Sequence, residues 1–274
     1  MSQPFFSIII PALNEEKYLP HLLTDLSCQT FRDFEVIVVD GRSDDQTVAK
    51  AKSFKNKLPS LTILNSSKRH VCIQRNLGAK HALADILIFC DADNRLPPYF
   101  LQGIRYRLES TGADLLSTWF KPDTDNTTNN TIALGMNLAF ELQKSLSTPI
   151  FLESLIIVKK SAFNIIGGFD RNIHFAEGRQ FAPMAQEKGL SLGIVRDPVY
   201  LFSFRRFRKY GTLKLMKNTT TLGLSNLFGQ EFKNGIAHDL YPMLGGNSYS
   251  TQYKIQKNKI SKFLKNIAKI IKDF

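Results

Sequence analysis

Three short apolar runs rich in β-branched residues, Phe6 to Ile10, Glu35 to Val39 and Ile86 to Cys90, each lead directly into a turn that carries carboxylates. Runs of this length without polar alternation suit strands covered on both faces, which is the condition of a parallel sheet. Between them lie stretches with helical patterning, Glu15 to Cys28, Asp44 to Ser53 and Cys72 to Leu83. The alternation is that of βαβ units, and it predicts a doubly wound α/β fold. Asp44 and Asp45, next to Ser43, suit the N-cap and first turn of the second helix.

In a doubly wound sheet, ligands bind beyond the carboxyl ends of the strands. The residues found there are Pro11-Ala-Leu-Asn14-Glu15-Glu16, Asp40-Gly41-Arg42-Ser43-Asp44-Asp45 and Asp91-Ala92-Asp93. Further along, Asp114 to Phe120 and Leu152 to Lys159 read as strands, Asp123 to Thr131 as a polar loop and Ile132 to Leu146 as a helix. There is no internal repeat, and the one marked shift in composition comes near residue 250.

Asp91 and Asp93 are the most informative pair. Carboxylates are hard oxygen ligands, and Mg²⁺ or Mn²⁺ is commonly held by one or two of them together with substrate phosphates. An isolated Asp-X-Asp is more often a solvated turn, but its place at the tip of a buried strand favours the metal and diphosphate role. Asp40, at the second strand's tip, suits hydrogen bonds from a base or ribose; its other role would be helix capping, which fits Asp44 or Asp45 better. Arg75 suits contact with base or phosphate as well as it suits a plain surface position on a helix.

Taken together, the sequence resembles the family-two inverting glycosyltransferases with the GT-A fold over about its first 200 residues. The resemblance rests on Ser7-Ile-Ile-Ile-Pro11-Ala-Leu-Asn14-Glu15, Val38-Val39-Asp40-Gly41-Arg42-Ser43-Asp44-Asp45-Gln46-Thr47, Arg75-Asn76-Leu77-Gly78-Ala79, Asp91-Ala92-Asp93 and Gly167-Gly168-Phe169-Asp170. It implies a Rossmann-like, mixed but mainly parallel sheet flanked by helices, and a nucleoside-diphosphate-sugar donor. Pro11, Asn14 and Glu15 would line the nucleotide pocket, Asp40 and Arg75 would read the base, and Asp91, Ala92 and Asp93 would meet the diphosphate. Asp93 and Asp91 would hold the divalent cation. Inversion also requires a carboxylate that deprotonates the acceptor hydroxyl.

Relatives usually carry Glu-Asp after Gly-Gly-Phe-Asp, with the aspartate as base, whereas this chain reads Phe175-Ala176-Glu177-Gly178-Arg179. Glu177 is therefore the first candidate base and Asp170 the second; Glu177 also suits a helix start, where the dipole favours it. The Gln-X-X-Arg-Trp motif of processive synthases is absent. Phe204 to Gly211 carries four cations, of which Arg205 and Arg206 suit a clamp on the diphosphate as well as a solvated loop. His238 fits the later metal-ligating histidine of some relatives, although a lone histidine is more often structural.

The formal charge of +12 predicts attraction to polyanions. Half of it lies in residues 253–274, where seven Lys and one Asp give +6. There Ile260, Phe263, Leu264, Ile267, Ile270, Ile271 and Phe274 fall on one helical stripe opposite the lysines. Such a basic amphipathic helix suits an anionic membrane interface, or else a docking face on protein. The expected organisation is a GT-A domain over 1–215, an extension over 216–252 on the acceptor or lid side, and the helix over 253–274. The widely spaced Cys28, Cys72 and Cys90 read as reduced thiols, and neither an export signal nor a membrane span is recognisable. A cytoplasmic protein at the inner membrane face follows, with an acceptor that is a glycan or lipid-linked sugar.

Nucleic acid is not an expected partner, since no recognition helix, zinc pattern or aromatic-basic platform accompanies the charge. A nucleotidyltransferase would need an early Gly-rich basic loop, which is missing. A catalytically silent nucleotide-sugar binder at the membrane is the remaining alternative, suggested by Gly178.

Overall fold

The computed structural model describes residues 3–145, 151–172 and 181–210. Contacts divide the chain into two units, residues 1–205 and 206–274. The first unit is a seven-stranded sheet: β1 (Phe6–Ala12), β2 (Phe34–Asp40), β3 (Leu61–Asn65), β4 (Ile86–Cys90), β5 (Leu115–Pro122), β6 (Leu155–Lys159) and β7 (Leu192–Phe202), in the order β3-β2-β1-β4-β6-β5-β7. Helices α1 (Leu19–Ser27), α2 (Thr47–Lys52), α3 (Val71–His81), α4 (Phe100–Thr111), α5 (Thr127–Ser145), α6 (Lys160–Ile166) and α7 (Phe181–Glu187) accompany it, and α8 (Arg205–Tyr210) leads into the second unit. The expected extension and amphipathic helix, 216–252 and 253–274, lie outside the described residues.

The three runs form β1, β2 and β4, which pair in parallel, and every residue of β1 and β2 is buried. Coverage on both faces is what their unbroken apolar pattern demands. β6 runs antiparallel to both β4 and β5, so the sheet is mixed. Cys72 and Cys90 are buried and Cys28 is exposed, and none of the three is in a disulfide. No helix among the described residues is long and apolar enough to cross a membrane.

Several element boundaries differ from the sequence pattern, and each difference has a local cause. α1 begins at Leu19 rather than Glu15, because Pro20 belongs in a helix's first turn, where its missing N–H costs no hydrogen bond. α2 begins at Thr47 rather than Asp44. The N-cap position is Gln46, so neither aspartate caps the helix: Asp45, just before it, accepts the Thr47 N–H at 2.9 Å, and the Asp44 carboxylate meets Arg69 at 2.6 Å. α5 starts at Thr127, inside the stretch expected to be loop, because Asn126 Oδ1 accepts the Asn129 N–H at 2.8 Å as an N-cap does.

α3 crosses β1 at close range through Gly78. A Cβ there would stand 2.4 Å from Ile9 Cγ2 and 3.2 Å from Val39 Cγ2, so helix and sheet meet where only a glycine fits. Both contacts belong to fully buried strand residues that cannot swing aside. Gly78→Ala should therefore cost about 1–3 kcal/mol of stability by overpacking, despite alanine's better helix propensity. Chemical denaturation of the two proteins measures this, and equal midpoints would contradict it.

Candidate functional site

β1 stays paired with β2 up to Ala12 opposite Asp40, but its pairing with β4 ends at Ile9 opposite Phe89. The tips of β1 and β4 thus part from each other where strand order turns from one side of β1 to the other, the position at which open α/β sheets bind ligands. Pro11, which has no N–H for a ladder, sits in the end of β1 that has parted from β4 while still opposite Val39 of β2.

The loops after β1 and β2 are laced together into one wall. Asn14 takes a left-handed φ of 54°, a conformation asparagine tolerates well. Its N–H bonds Ser43 Oγ at 2.8 Å, and its Oδ1 accepts the Asp44 N–H at 2.7 Å. Beneath them the buried Gln74 donates Nε2 to Ala12 O at 2.9 Å and Val39 O at 2.7 Å. Asp40 Oδ2 accepts the Arg42 and Ser43 N–H groups, both at 3.0 Å. Asp40 Oδ1 is buried and has no hydrogen-bond partner. A buried carboxylate oxygen with unused capacity is rare unless a ligand supplies the donor.

The other wall belongs to β4 and β6. Ser154, just before β6, gives its carbonyl to the Asp91 N–H at 2.9 Å and to Asn94 Nδ2 at 2.6 Å, and its hydroxyl lies 2.8 Å from Tyr200 Oη. Arg75 is 2% exposed and donates Nη2 to Asp91 Oδ1 at 2.8 Å and to Glu153 O at 3.0 Å. Its guanidinium lies 5.2 Å from the Phe169 ring centroid. Phe169 is held in turn by Asn76, which accepts its N–H at 2.9 Å and donates to its carbonyl at 2.8 Å. Gly167 and Gly168, at φ 90° and 78°, make that turn possible. The Gly-Gly-Phe-Asp motif therefore seats the ring against which Arg75 rests.

Arg205 closes the space between the walls. Its Nη1 and Nη2 fork onto Glu15 Oε2 and Oε1 at 2.9 and 2.7 Å, its Nε stands 2.8 Å from Asp93 Oδ2, and Tyr18 offers its ring face at 4.6 Å. Burial, reinforced by the charges of Asp93 and Asp91, pushes the Glu15 carboxyl up to about 7 against the pull of Arg205.

Glu15, Asp91, Asp93, Arg75 and Arg205 are thus gathered at one place, with Ala92 buried between the two aspartates. Asp40, Asn14 and Pro11 belong to the adjoining wall. Arg75, expected beside the base with Asp40, is joined to Asp91. Arg206 is exposed and belongs to the second unit. Asp170 is exposed, and its Oδ1 accepts the Asn172 N–H at 2.8 Å. Glu177 and His238 lie outside the described residues. Sequence reasoning missed Tyr18, Gln74, Asn94, Ser154 and Tyr200. Gln74 and Asn94 adjoin recognised motifs, but no local pattern marks Tyr18, Ser154 or Tyr200.

Among the described residues no cluster of three or more His, Cys, Asp and Glu could hold a metal alone. The donor set nevertheless suits Mg²⁺ or Mn²⁺, which need one or two carboxylates when phosphate oxygens and water complete the shell. Asp93 and Asp91 would be those carboxylates.

A family model described as glycosyl transferase family 2 matches residues 7–167, more than half of the chain. The chain is 44% identical over 95 residues to the 4,4'-diaponeurosporenoate glycosyltransferase of Staphylococcus haemolyticus, a stretch covering 33% of this chain and 24% of that protein. The chain thus matches about a quarter of that relative's length. In fold it is similar to S. aureus TarS in complex with UDP-GlcNAc, with a TM-score of 0.62, 19% identity and coverage of 87% and 76%. It is also similar to the mannosyltransferase PcManGT of Pyrobaculum calidifontis in complex with GDP-Man and Mn²⁺, with a TM-score of 0.61, 18% identity and coverage of 98% and 81%. The architecture is that of these GT-A structures.

The raised Glu15 carboxyl has a pH signature. A group whose folded pKa lies above its unfolded value of 4.5 binds protons on folding between that value and about 7. Its contribution to stability is therefore complete below pH 4.5 and declines as pH rises through 7. Wild type should lose stability relative to Glu15→Gln across this window in denaturation at graded pH; a flat difference would mean that Glu15 is ionised throughout.

Proposed function

The chain belongs to glycosyl transferase family 2, and we propose that it transfers a sugar from a nucleoside-diphosphate donor to an acceptor hydroxyl, inverting the anomeric carbon. The observation that carries this reading is the meeting of Glu15, Asp91 and Asp93 with two guanidinium groups where the tips of β1 and β4 part from each other. The unsatisfied Asp40 Oδ1 in the adjoining wall supports a base or ribose as its partner. Base and diphosphate would then lie along the edge from Asp40 to Asp93, with Asn14 and Pro11 lining the way.

Asp93 and Asp91 would hold a divalent cation, which would supply stabilisation of the charge that develops on the leaving diphosphate. Arg205 orients phosphate oxygens, for which the planar guanidinium fork is well shaped. A carboxylate takes the acceptor proton; Glu177 is the first candidate and Asp170, exposed at the end of the Gly-Gly-Phe-Asp motif, the second. The basic composition of residues 253–274 supports a position on the cytoplasmic face of an anionic membrane, and with it a lipid-linked or cell-surface glycan acceptor.

Screening nucleoside diphosphates with Mn²⁺ in thermal shift assays tests the donor. The cognate nucleotide at about a hundred times its Kd should stabilise the protein by about 2.7 kcal/mol. Asp93→Ala should remove the Mn²⁺-dependent part of that gain and abolish donor hydrolysis or transfer. Nucleotide binding without any turnover, unchanged by Asp93→Ala, would instead indicate a silent binder. Deleting residues 253–274 should abolish cosedimentation with vesicles containing phosphatidylserine; undiminished cosedimentation would place membrane contact elsewhere.

A further inference from the structure

The turn that carries the two aspartates is closed from within by its last residue. Asn94 gives its backbone N–H to Asp91 O at 3.1 Å, which makes residues 91–94 a β-turn with Ala92 and Asp93 at its centre. Both ends of the turn meet the same acceptor: Ser154 O takes the Asp91 N–H at 2.9 Å and Asn94 Nδ2 at 2.6 Å. That carbonyl is itself fixed, since the Ser154 hydroxyl lies 2.8 Å from Tyr200 Oη and the next residue, Leu155, pairs with Cys90 of β4. Beyond the turn, Arg95 exchanges backbone hydrogen bonds with Leu201 at 3.0 and 2.9 Å. Asn94 is fully buried, and its Nδ2 also lies 3.6 Å from Cys90 Sγ, yet its Oδ1 has no hydrogen-bond partner.

We propose that Asn94 is a positioning residue for the divalent cation: by pinning the end of the turn to Ser154, it sets the backbone that carries Asp91 and Asp93 before metal or donor arrives. The inference rests on the reading of those two carboxylates as holding a cation against a diphosphate. Packing alone does not explain the amide, because a buried acceptor left unsatisfied carries a desolvation penalty that an apolar side chain in its place would avoid. What the amide supplies is a donor at the point where the turn could swing away from β6. Without that donor, repulsion between the aspartates favours spreading of the turn, and a ligand would have to re-order it on binding. The clamp removes this cost in advance. Groups that orient metal ligands in such a way typically govern affinity by about 10–100-fold.

Mn²⁺ binding to the full chain with UDP or GDP present, followed by the electron paramagnetic resonance signal of free Mn²⁺, measures the effect. Asn94→Ala should bind Mn²⁺ roughly tenfold more weakly than wild type. Its affinity for nucleotide without metal should match wild type, because the wall around Asp40 is untouched. Asn94→Ser, one atom too short to reach Ser154 O, should behave alike, and it carries the test if the alanine variant does not fold. Leu58→Ala, which empties a buried position beyond the end of α2, should be destabilised and yet bind Mn²⁺ as wild type does. Folded Asn94 variants that bind Mn²⁺ as tightly as wild type overturn this inference alone. So does an equal weakening in Leu58→Ala, or a parallel fall in metal-free nucleotide affinity. Absence of Mn²⁺ uptake by wild type with either nucleotide overturns both the inference and the metal-dependent donor reading.

Discussion

Carboxylates crowded at strand tips and withdrawn from water repel one another, and cations that share their space offset that repulsion. Glu15 and Asp93 share one guanidinium and Asp91 holds another, from positions 205 and 75 of the chain. Much of the surrounding structure serves to place those two groups. Asn76 and the paired glycines set the Phe169 ring under Arg75, Tyr18 faces Arg205, and the Ser154 carbonyl holds the backbone of Asp91.

The floor beneath the acidic tip is neutral. Burial pushes both the Cys90 thiol and the Tyr200 hydroxyl far up, so neither adds negative charge below Asp91 and Asp93. β6 makes this floor possible because it runs against its neighbours. Its beginning lies beside the end of β4, which lets Ser154 reach Asp91 while its hydroxyl meets Tyr200 on β7. The opposite wall is tied to β2 through Gln74 and the Asn14–Ser43–Asp44 bonds, so the cleft separates two independently braced strand pairs.

Much of this was legible in the sequence because it is local. The unbroken apolar runs of β1, β2 and β4 could be nothing but strands covered on both faces, and the carboxylates directly after them marked the binding edge before any geometry was known. β3 and β7 were not legible. β3 is half-buried for most of its length and short, and the alternation of β7 changes phase midway, at Arg196 and Asp197, where its pairing with β5 is irregular. Helix starts were misplaced where side chains serve tertiary bonds instead of caps, as Asp44 does with Arg69. Arg75 illustrates the limit at the site: its motif announced a role, but whether its guanidinium reached Asp40 or Asp91 depended on how far around α3 it emerged. Ser154 acts through its backbone carbonyl, a contribution that its side chain cannot advertise.

The Glu15–Arg205 pair joins residues 190 positions apart. During synthesis at about 5–20 residues per second, Glu15 leaves the ribosome roughly 10–40 s before its partner. For that interval the nascent sheet presents acidic tips without their clamp. The site is thus among the last parts of the first unit to be finished, and any premature release of the chain before position 205 yields a folded-looking sheet with an unbalanced cluster of negative charge.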